Sequence, residues 1–185
     1  EDARGEVADF TYDAAGRITS RVDSDGTITY HYDSARLVAP CGFVAGRLAG
    51  VEDLSGTVDY CYDARGNTVR ASYGLTGYGG TLEVTRQFDT IGRLLSVTYP
   101  DSTRLINRFG NDGRISRVRF DGGLGYTYDL ASSVWHNANG QIAAVHHASG
   151  AHLSTNYDTR RRPLRHRVHD GSTLIQDLRL TLDGV

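Results

Sequence analysis

The chain has 185 residues, of which 39% are apolar, and a formal net charge of −2. This balance removes the electrostatic argument for a nucleic-acid partner, which favours a net basic face. All 20 basic residues are arginine, so a P-loop lysine, a Schiff-base lysine and a Ser-Lys dyad are excluded within these residues. No apolar run approaches the length of a membrane helix, so we expect no membrane span in this segment.

Strand signals dominate the chain from its start. Arg17 to Val22 and Thr27 to Tyr32 alternate polar with β-branched or aromatic residues on either side of the turn Asp23 to Gly26, which predicts a β-hairpin. Further hairpins are predicted around Pro100 to Ser102 and Ser149 to Gly150. No window shows the apolar stripe of an amphipathic helix, so we expect little or no helix.

A short motif recurs seven times: an aromatic residue, usually an Asp, a turn ending in Gly, then Arg or Asn and an aliphatic residue. Successive aromatics are 20, 30, 26, 21, 19 and 29 residues apart, and an eighth copy begins at Leu182. Repeats of this length are typical of supersecondary units that must stack on their neighbours to bury apolar surface. The motif residues are Tyr12, Asp13, Gly16, Arg17, Tyr32, Asp33, Tyr62, Asp63, Gly66, Phe88, Asp89, Gly92, Arg93, Phe109, Gly110, Tyr128, Asp129, Tyr157 and Asp158.

Every residue type in the motif has a structural reason to be there. An Asp at a strand end accepts hydrogen bonds from backbone N–H groups of its own turn. A Gly three residues later adopts the left-handed conformation that closes the turn, and we expect positive φ at Gly16, Gly66, Gly92 and Gly113. The aromatic rings are expected to stack in a buried row across successive strands, which predicts burial of Tyr12, Tyr32, Tyr62 and Tyr128.

Some copies depart from the pattern. Gly110 replaces the Asp, and the turn glycine is missing from the second, sixth and seventh copies, where we expect less regular turns. The stretch from Val38 to Gly50 adds residues between the second and third copies, and Tyr73 to Gly80 reads as a Gly/Tyr-rich loop.

These motifs resemble the YD repeat, also called the Rhs repeat, and the segment from Phe88 to Arg117 follows that pattern closely. The family includes bacterial Rhs proteins, the B and C components of Tc insecticidal toxins, wall-associated proteins and teneurins. The resemblance implies an all-β fold, a curved antiparallel sheet of stacked hairpins that forms a section of a spiral β-shell. We interpret residues 1–185 as one continuous array of about seven imperfect repeats. The absence of Met and the position of both ends at repeats indicate a fragment of a larger protein.

The resemblance also implies a function. In the bacterial toxins the shell encloses a C-terminal cytotoxic polypeptide, so we expect a structural wall segment that encapsulates a toxin and helps to deliver it. The implied partners are the rest of the shell and the enclosed toxin, and the implied location is secreted or at a bacterial cell surface. The alternative is a cell-surface recognition module that binds glycans or a partner protein, with Tyr78 and Trp135 as possible ligand contacts.

The sequence contains no convergent catalytic constellation. There is no Gly-x-Ser-x-Gly motif, and the loop from Gly74 to Gly80 lacks the strand-to-helix context of a nucleotide site. We therefore predict that the chain is not an enzyme and needs no cofactor. Cys41 and Cys61 could form one bridge, although free cysteines are so often buried that two buried thiols are favoured.

Histidines and arginines cluster towards the C-terminus. His147 and His152 are expected to face each other across a hairpin, but no Cys or spaced carboxylate completes a metal site, so none is predicted. The basic run Arg160, Arg161, Arg162, Arg165 and Arg167 is interpreted as a solvated strand with acidic neighbours such as Asp158 and Asp170, rather than as an anion site.

Overall fold

A computed structural model describes residues 7–37 and 41–182. Within these ranges the chain forms fifteen β-strands in chain order and no helix, as the sequence predicts. The chain groups into two compact units, residues 1–101 and residues 102–185, and each unit is described by itself. The eighth motif copy continues into Asp183 and Gly184, and the inserted stretch begins at Val38; these residues lie outside the described ranges.

Unit 1 contains eight strands. Each strand pairs antiparallel with the next one along the chain. The strands are β1 Asp9–Tyr12, β2 Ile18–Asp23, β3 Gly26–Tyr32, β4 Leu48–Asp53, β5 Gly56–Tyr62, β6 Thr68–Leu75, β7 Thr81–Phe88 and β8 Leu94–Thr98.

Unit 2 contains seven strands with the same antiparallel order. They are β9 Arg104–Phe109, β10 Ile115–Asp121, β11 Thr127–His136, β12 Ile142–His147, β13 Ala151–Tyr157, β14 Pro163–Asp170 and β15 Thr173–Arg179.

The hairpins arise where alternating residues flank a tight turn. Val22 pairs with Thr27 and Asp23 with Gly26, so the Asp-Gly turn sets the register of β2 and β3. The hairpin predicted at Ser149 to Gly150 also forms, since Ala144 on β12 pairs with Ser154 on β13. Apart from the insertion between β3 and β4, the connections are too short for a parallel crossover, so antiparallel pairing follows from their length.

Two kinds of connection alternate along each unit. Because the strands of each unit are antiparallel and follow chain order, successive connections lie at opposite ends of the strands. In unit 1, one end carries the motif turns, such as residues 63–67 between β5 and β6. The other end carries hairpin tips, such as residues 54–55 between β4 and β5.

Very little of the chain is fully buried. Val51, Val58 and Tyr73 share one face of β4 to β6, while Asp59 and Ser72 share the other. Among the described residues no second layer packs on either face, because strands contact only their sheet neighbours. The apolar residues that are buried are Val44, Ala49, Cys61, Ala71 and Ala131. A two-layer sandwich with a dry core is therefore not the architecture of either unit.

The insertion between β3 and β4 is fastened to the sheet. A disulfide joins Cys41 to Cys61 on β5, with the Cα atoms 5.1 Å apart, so the prediction of two buried thiols is wrong. The insertion also brings Nε of Arg36 to 2.6 Å from Oδ1 of Asp59. The cysteines are twenty positions apart, and Cys41 lies in an insertion outside the repeat, so no periodic signal in the sequence reveals their proximity.

Candidate functional site: the Asp turns

Seven connections share one backbone pattern, and we call them the Asp turns. In the regular form, the N–H of the first residue donates to the carbonyl of the fifth, and the N–H of the fourth donates to the carbonyl of the first. For Asp89 to Arg93 these hydrogen bonds measure 2.9 and 3.0 Å, as in a type I turn followed by a left-handed residue. The Asp turns are residues 13–17, 33–47 (an expanded form), 63–67 and 89–93 in unit 1, and 110–114, 137–141 and 158–162 in unit 2.

The first side chain of the turn holds the backbone in place. Oδ1 of Asp89 accepts the N–H of Ile91 at 3.0 Å and of Arg93 at 2.8 Å, while Oδ2 accepts Nε of Arg93 at 2.6 Å. Asp13 makes the same contacts with Arg17, and the backbone N–H of Arg17 is the main reason that the pKa of Asp13 lies below its usual range. One carboxylate therefore satisfies several donors within a five-residue turn.

Two turns use amides for the same contacts. In residues 63–67, Oδ2 of Asp63 accepts a hydrogen bond from Nδ2 of Asn67 at 2.8 Å. This hydrogen bond is the main reason that the pKa of Asp63 lies below its usual range. In residues 137–141 both partners are amides: Oδ1 of Asn137 accepts the N–H of Gln141 at 3.0 Å, and Nδ2 donates to Oε1 of Gln141 at 3.2 Å. In these two turns an oxygen acceptor at the first position makes the contacts, and in residues 137–141 it does so without a charge.

The fourth residue of the regular turns lies in the left-handed region. The φ angles are 77° at Gly16, 87° at Gly66, 86° at Gly92 and 77° at Gly113, which agree with the predicted conformation. In residues 158–162 the same position is Arg161, with a φ of 67°. The missing glycine of the seventh copy therefore leaves the turn in place, at the cost of a strained arginine.

The fifth residue also reaches the following Asp turn. Nη1 of Arg17 donates to Oδ1 of Asp33 at 3.2 Å, and its guanidinium carbon lies 4.3 Å from the ring centroid of Tyr32. Hydrogen bonds to Asp33 and then Asp13 raise the pKa of Arg17. Arg17 thus connects the first motif copy to the second by an ion pair and a cation–π contact.

A similar contact connects the next two turns. The guanidinium of Arg47 lies 5.6 Å from the ring centroid of Tyr62, whose hydroxyl donates to the carbonyl of Leu48 at 2.7 Å. A Cβ atom added to Gly66 would lie 2.9 Å from Nη2 of Arg47. Gly66 therefore serves two purposes, since it adopts positive φ and leaves space for the preceding arginine.

Unit 2 repeats this arrangement with other side chains. A Cβ atom at Gly140 would lie 2.6 Å from Nη2 of Arg114, the fifth residue of the preceding turn. Nε2 of Gln141 donates to the carbonyl of Arg161 at 2.7 Å, and the hydroxyl of Tyr157 donates to the carbonyl of Ile142 at 2.9 Å. These contacts therefore couple the first three Asp turns of unit 1 to one another, and likewise the three Asp turns of unit 2.

The predicted row of stacked tyrosines is wrong. Tyr12 is 58% exposed and Tyr128 is 51% exposed, while Tyr32 and Tyr62 are half-buried. Arginines from the preceding turns lie over the rings of Tyr32 and Tyr62, and they take the place that neighbouring rings were expected to fill. The guanidinium is planar and stacks well on an aromatic face, so an arginine can replace a neighbouring ring there.

The sixth copy lies elsewhere than the sequence indicated. Tyr128 and Asp129 belong to β11, and Oδ1 of Asp129 accepts Nε of Arg119 at 3.0 Å across the strands. The turn itself is residues 137–141. The sequence does carry a signal for this turn. Residues Asn137 to Ile142 have the motif spacing, with Gly140 at the fourth position and an aliphatic residue at the sixth, but Asn takes the place of Asp at the first.

Two further copies are completed by residues that the motif missed. In residues 110–114 the carboxylate comes from Asp112, whose Oδ1 accepts the N–H of Arg114 at 3.1 Å. The second copy ends at Gly46 and Arg47, after the insertion, and the N–H of Gly46 donates to Oδ1 of Asp33 at 2.6 Å. The sequence Gly-Arg-Leu at residues 46–48 matches the end of the motif and indicates where the second turn closes after the insertion.

The possible ligand contacts lie apart. Tyr78 is 55% exposed in the loop after β6, and Trp135 is 62% exposed on β11. Because they belong to different units, each is considered a separate contact. No group of three or more His, Cys, Asp or Glu side chains within residues 7–37 and 41–182 could hold a metal ion, and no helix there is long and apolar enough to cross a membrane.

Two details of the C-terminal region differ from expectation. His152 pairs with His146, because the turn His147 to Gly150 sets a register one residue away from the predicted one. Arg160 to Arg162 lie in an Asp turn and not in a strand, and Arg165 on β14 forms an ion pair with Asp177 of β15. The run is thus divided between two structural elements.

Comparisons with known proteins agree with the prediction of YD repeats. An RHS-repeat family model matches residues 1–28 and 12–39. No curated protein matches the chain. The crystal structure of TcdB2-TccC3 shares the fold with a TM-score of 0.73 at 16% identity, over 95% of this chain and 11% of that chain. The crystal structure of TcdB2-TccC3-TEV is similar with a TM-score of 0.72 at 16% identity, over 99% of this chain and 11% of that one.

The Photorhabdus luminescens Tc holotoxin pore is also similar, with a TM-score of 0.71 at 16% identity, over 95% of this chain and 11% of that chain. The chain therefore spans about a tenth of the length of these solved chains. At this identity the likeness concerns the fold, and it confirms the predicted all-β fold of antiparallel hairpins. The repeat matches over residues 1–39, the Asp turns and the shared fold support the resemblance of the chain to the YD-repeat (Rhs-repeat) family.

Proposed function

We propose that the chain is a structural wall section of a YD-repeat shell that encloses a toxin polypeptide and helps to deliver it. The main support is the coupling of consecutive Asp turns in sheets that carry no second layer. Such a sheet gains its stability from neighbouring repeats and encloses a volume only as part of a longer array.

In this proposal the motif residues connect each Asp turn to the next one. Arg17 and Arg47 each engage the following turn, and Gln141 reaches Arg161 through a hydrogen bond. A wall built this way is held together by contacts between neighbouring repeats, so it can extend in one direction without a central core. The resemblance to TcdB2-TccC3 and to the Tc holotoxin pore supports a secreted toxin component as the parent. A Cys41–Cys61 disulfide is also typical of proteins outside the reducing cytosol.

Limited proteolysis of the full-length protein tests enclosure. The polypeptide C-terminal to the shell should resist trypsin while it is joined to the shell and should be digested once it is separated from it. The double variant Asp63→Ala with Asp89→Ala, which removes two turn carboxylates, should expose that polypeptide earlier on heating. Asp25→Ala, at an exposed hairpin tip, is the matched control and should leave protection unchanged. Equal digestion with and without the shell would contradict the proposal.

The alternative is a surface module that binds glycans or a partner protein. Its support is the exposure of Trp135 and Tyr78, since aromatic faces open to solvent can stack on sugars. Binding on a glycan array that is lost in Trp135→Ala or Tyr78→Ala, together with no protected polypeptide in the proteolysis experiment, would favour this function.

A further inference from the structure

Three histidine side chains follow one another across neighbouring strands of unit 2. His146 on β12 is directly opposite His152 on β13, and His152 is directly opposite His169 on β14. The ring centroids of His146 and His152 are 4.9 Å apart, and those of His152 and His169 are 5.6 Å apart. Directly opposed residues share a face of the sheet, so the three imidazoles form a row, which we call the histidine row.

The spacing of the first pair fits a shared metal ion. A zinc ion binds each imidazole nitrogen at about 2.0–2.1 Å, and the ring centre lies about 1.1 Å further out, so two rings at a tetrahedral angle have centres about 5 Å apart. The 4.9 Å between His146 and His152 matches this separation. The hairpin turn from His147 to Gly150 holds the pair in register, since the N–H of Gly150 donates to the carbonyl of His147 at 3.1 Å.

The surroundings favour this pair over the second one. His169 shares its strand and face with Arg167, two residues away, whose buried Nε has no hydrogen-bond partner within the described part of the chain. A bound cation next to His169 would be repelled by this guanidinium. At the other end, His146 is exposed and its neighbour on β11 is Ser133, which carries no charge.

We propose that His146 and His152 bind one divalent transition-metal ion of the zinc, nickel or copper class. Imidazole nitrogens suit these ions, whereas magnesium and calcium prefer oxygen ligands. Water completes the coordination, because His169 lies on the far side of His152 from His146 and the described chain places no third ligand beside the pair. His169 remains outside the coordination sphere and borders the site.

Titration of the full chain with zinc, followed by calorimetry, tests the site. One zinc ion should bind, and His146→Ala should weaken binding at least about tenfold because it removes one of two protein ligands. His152→Ala should have the same effect, with His152→Gln as a second variant if the alanine variant fails to fold. Magnesium should not bind.

Two variants serve as matched controls. His147→Ala changes the adjacent residue of β12, which lies on the opposite face, and should leave zinc binding unchanged. His169→Ala should change it by less than about threefold, because this residue is outside the proposed coordination sphere. The proposal fails if the unsubstituted chain takes up no zinc, if His147→Ala weakens binding as much as His146→Ala, or if His169→Ala has the larger effect.

Discussion

The two units build the same turn from different side chains. Unit 1 places an Asp first and a Gly fourth in each of its Asp turns, even where the insertion separates Asp33 from Gly46. Unit 2 uses Asp112 in place of the first residue in one turn, an amide pair in the second and Arg161 as the fourth residue in the third. The backbone hydrogen bonds nevertheless persist. The turn therefore depends on one well-placed acceptor and a left-handed residue, whereas the identity of the residues can vary.

The largest expected effect concerns the insertion, which unit 2 lacks. Replacing Cys41 and Cys61 together by serine should destabilise unit 1 by about 3 kcal/mol, since a cross-link over this loop length restricts the unfolded chain. Urea unfolding of the oxidised protein and of the double variant measures the difference. Dithiothreitol should destabilise the original protein and leave the variant unchanged. Equal stability of the two oxidised proteins would show that the disulfide does not fasten the insertion.

The next largest effect tests the arginine–tyrosine contact. Tyr62→Ala should cost about 2–3 kcal/mol, because it removes a half-buried ring and the hydrogen bond to the carbonyl of Leu48. Tyr12→Ala should cost less than about 1 kcal/mol, because this ring is 58% exposed. Thermal unfolding measures both variants. Equal losses would mean that the contact beneath Arg47 adds nothing.

Gly92 tests the need for a left-handed residue in a regular turn. Gly92→Val should cost about 2 kcal/mol, because a β-branched residue is strained at a φ of 86°. Ile91→Val changes the exposed neighbouring position and should stay within about 0.5 kcal/mol of the original protein. Urea unfolding of the two variants makes the comparison, and a tolerated valine would show that the turn can reorganise.

Arg161 allows the reverse experiment. Arg161→Gly should stabilise the protein by about 1 kcal/mol, because glycine removes the strain at a φ of 67°. Arg160→Gly, one residue earlier in the same turn, should give no stabilisation because its φ is not positive. Differential scanning calorimetry should resolve the two variants. A destabilised Arg161→Gly protein would mean that the arginine makes a contact worth more than the strain.

The smallest effect distinguishes the charged turns from the amide turn. The pKa of Asp63 is lowered in the folded chain, so its ionised form stabilises the turn above the unfolded pKa of about 3.9, and this contribution is lost as the pH falls through the folded value. Asn137 does not titrate. Hydrogen exchange should therefore show residues 63–67 losing protection below about pH 4 relative to residues 137–141. Parallel loss in both turns would indicate global unfolding.

The sequence predicted the strands, the hairpins and the turn glycines, because alternation and Asp-Gly turns are local signals. It did not predict the contacts between turns. Arg17 reaches Asp33 across sixteen residues, and nothing in the spacing indicates that its guanidinium, rather than another ring, lies over Tyr32. The position of the sixth copy was predicted wrongly for a related reason. Tyr128 and Asp129 match the motif as a dipeptide, but they lie at the start of β11, after a hairpin tip, and not at the end of a strand before an Asp turn.

The contacts between Asp turns join residues that are close in sequence, which affects how the chain can fold during synthesis. Sixteen residues separate Arg17 from Asp33, and twenty separate Gln141 from Arg161. A nascent chain therefore needs to emerge by only a few more strands before each new turn can engage the one made before it. Low contact order of this kind favours rapid folding, and repeat arrays can propagate structure from any formed unit. Such a sheet can fold co-translationally, one strand pair at a time.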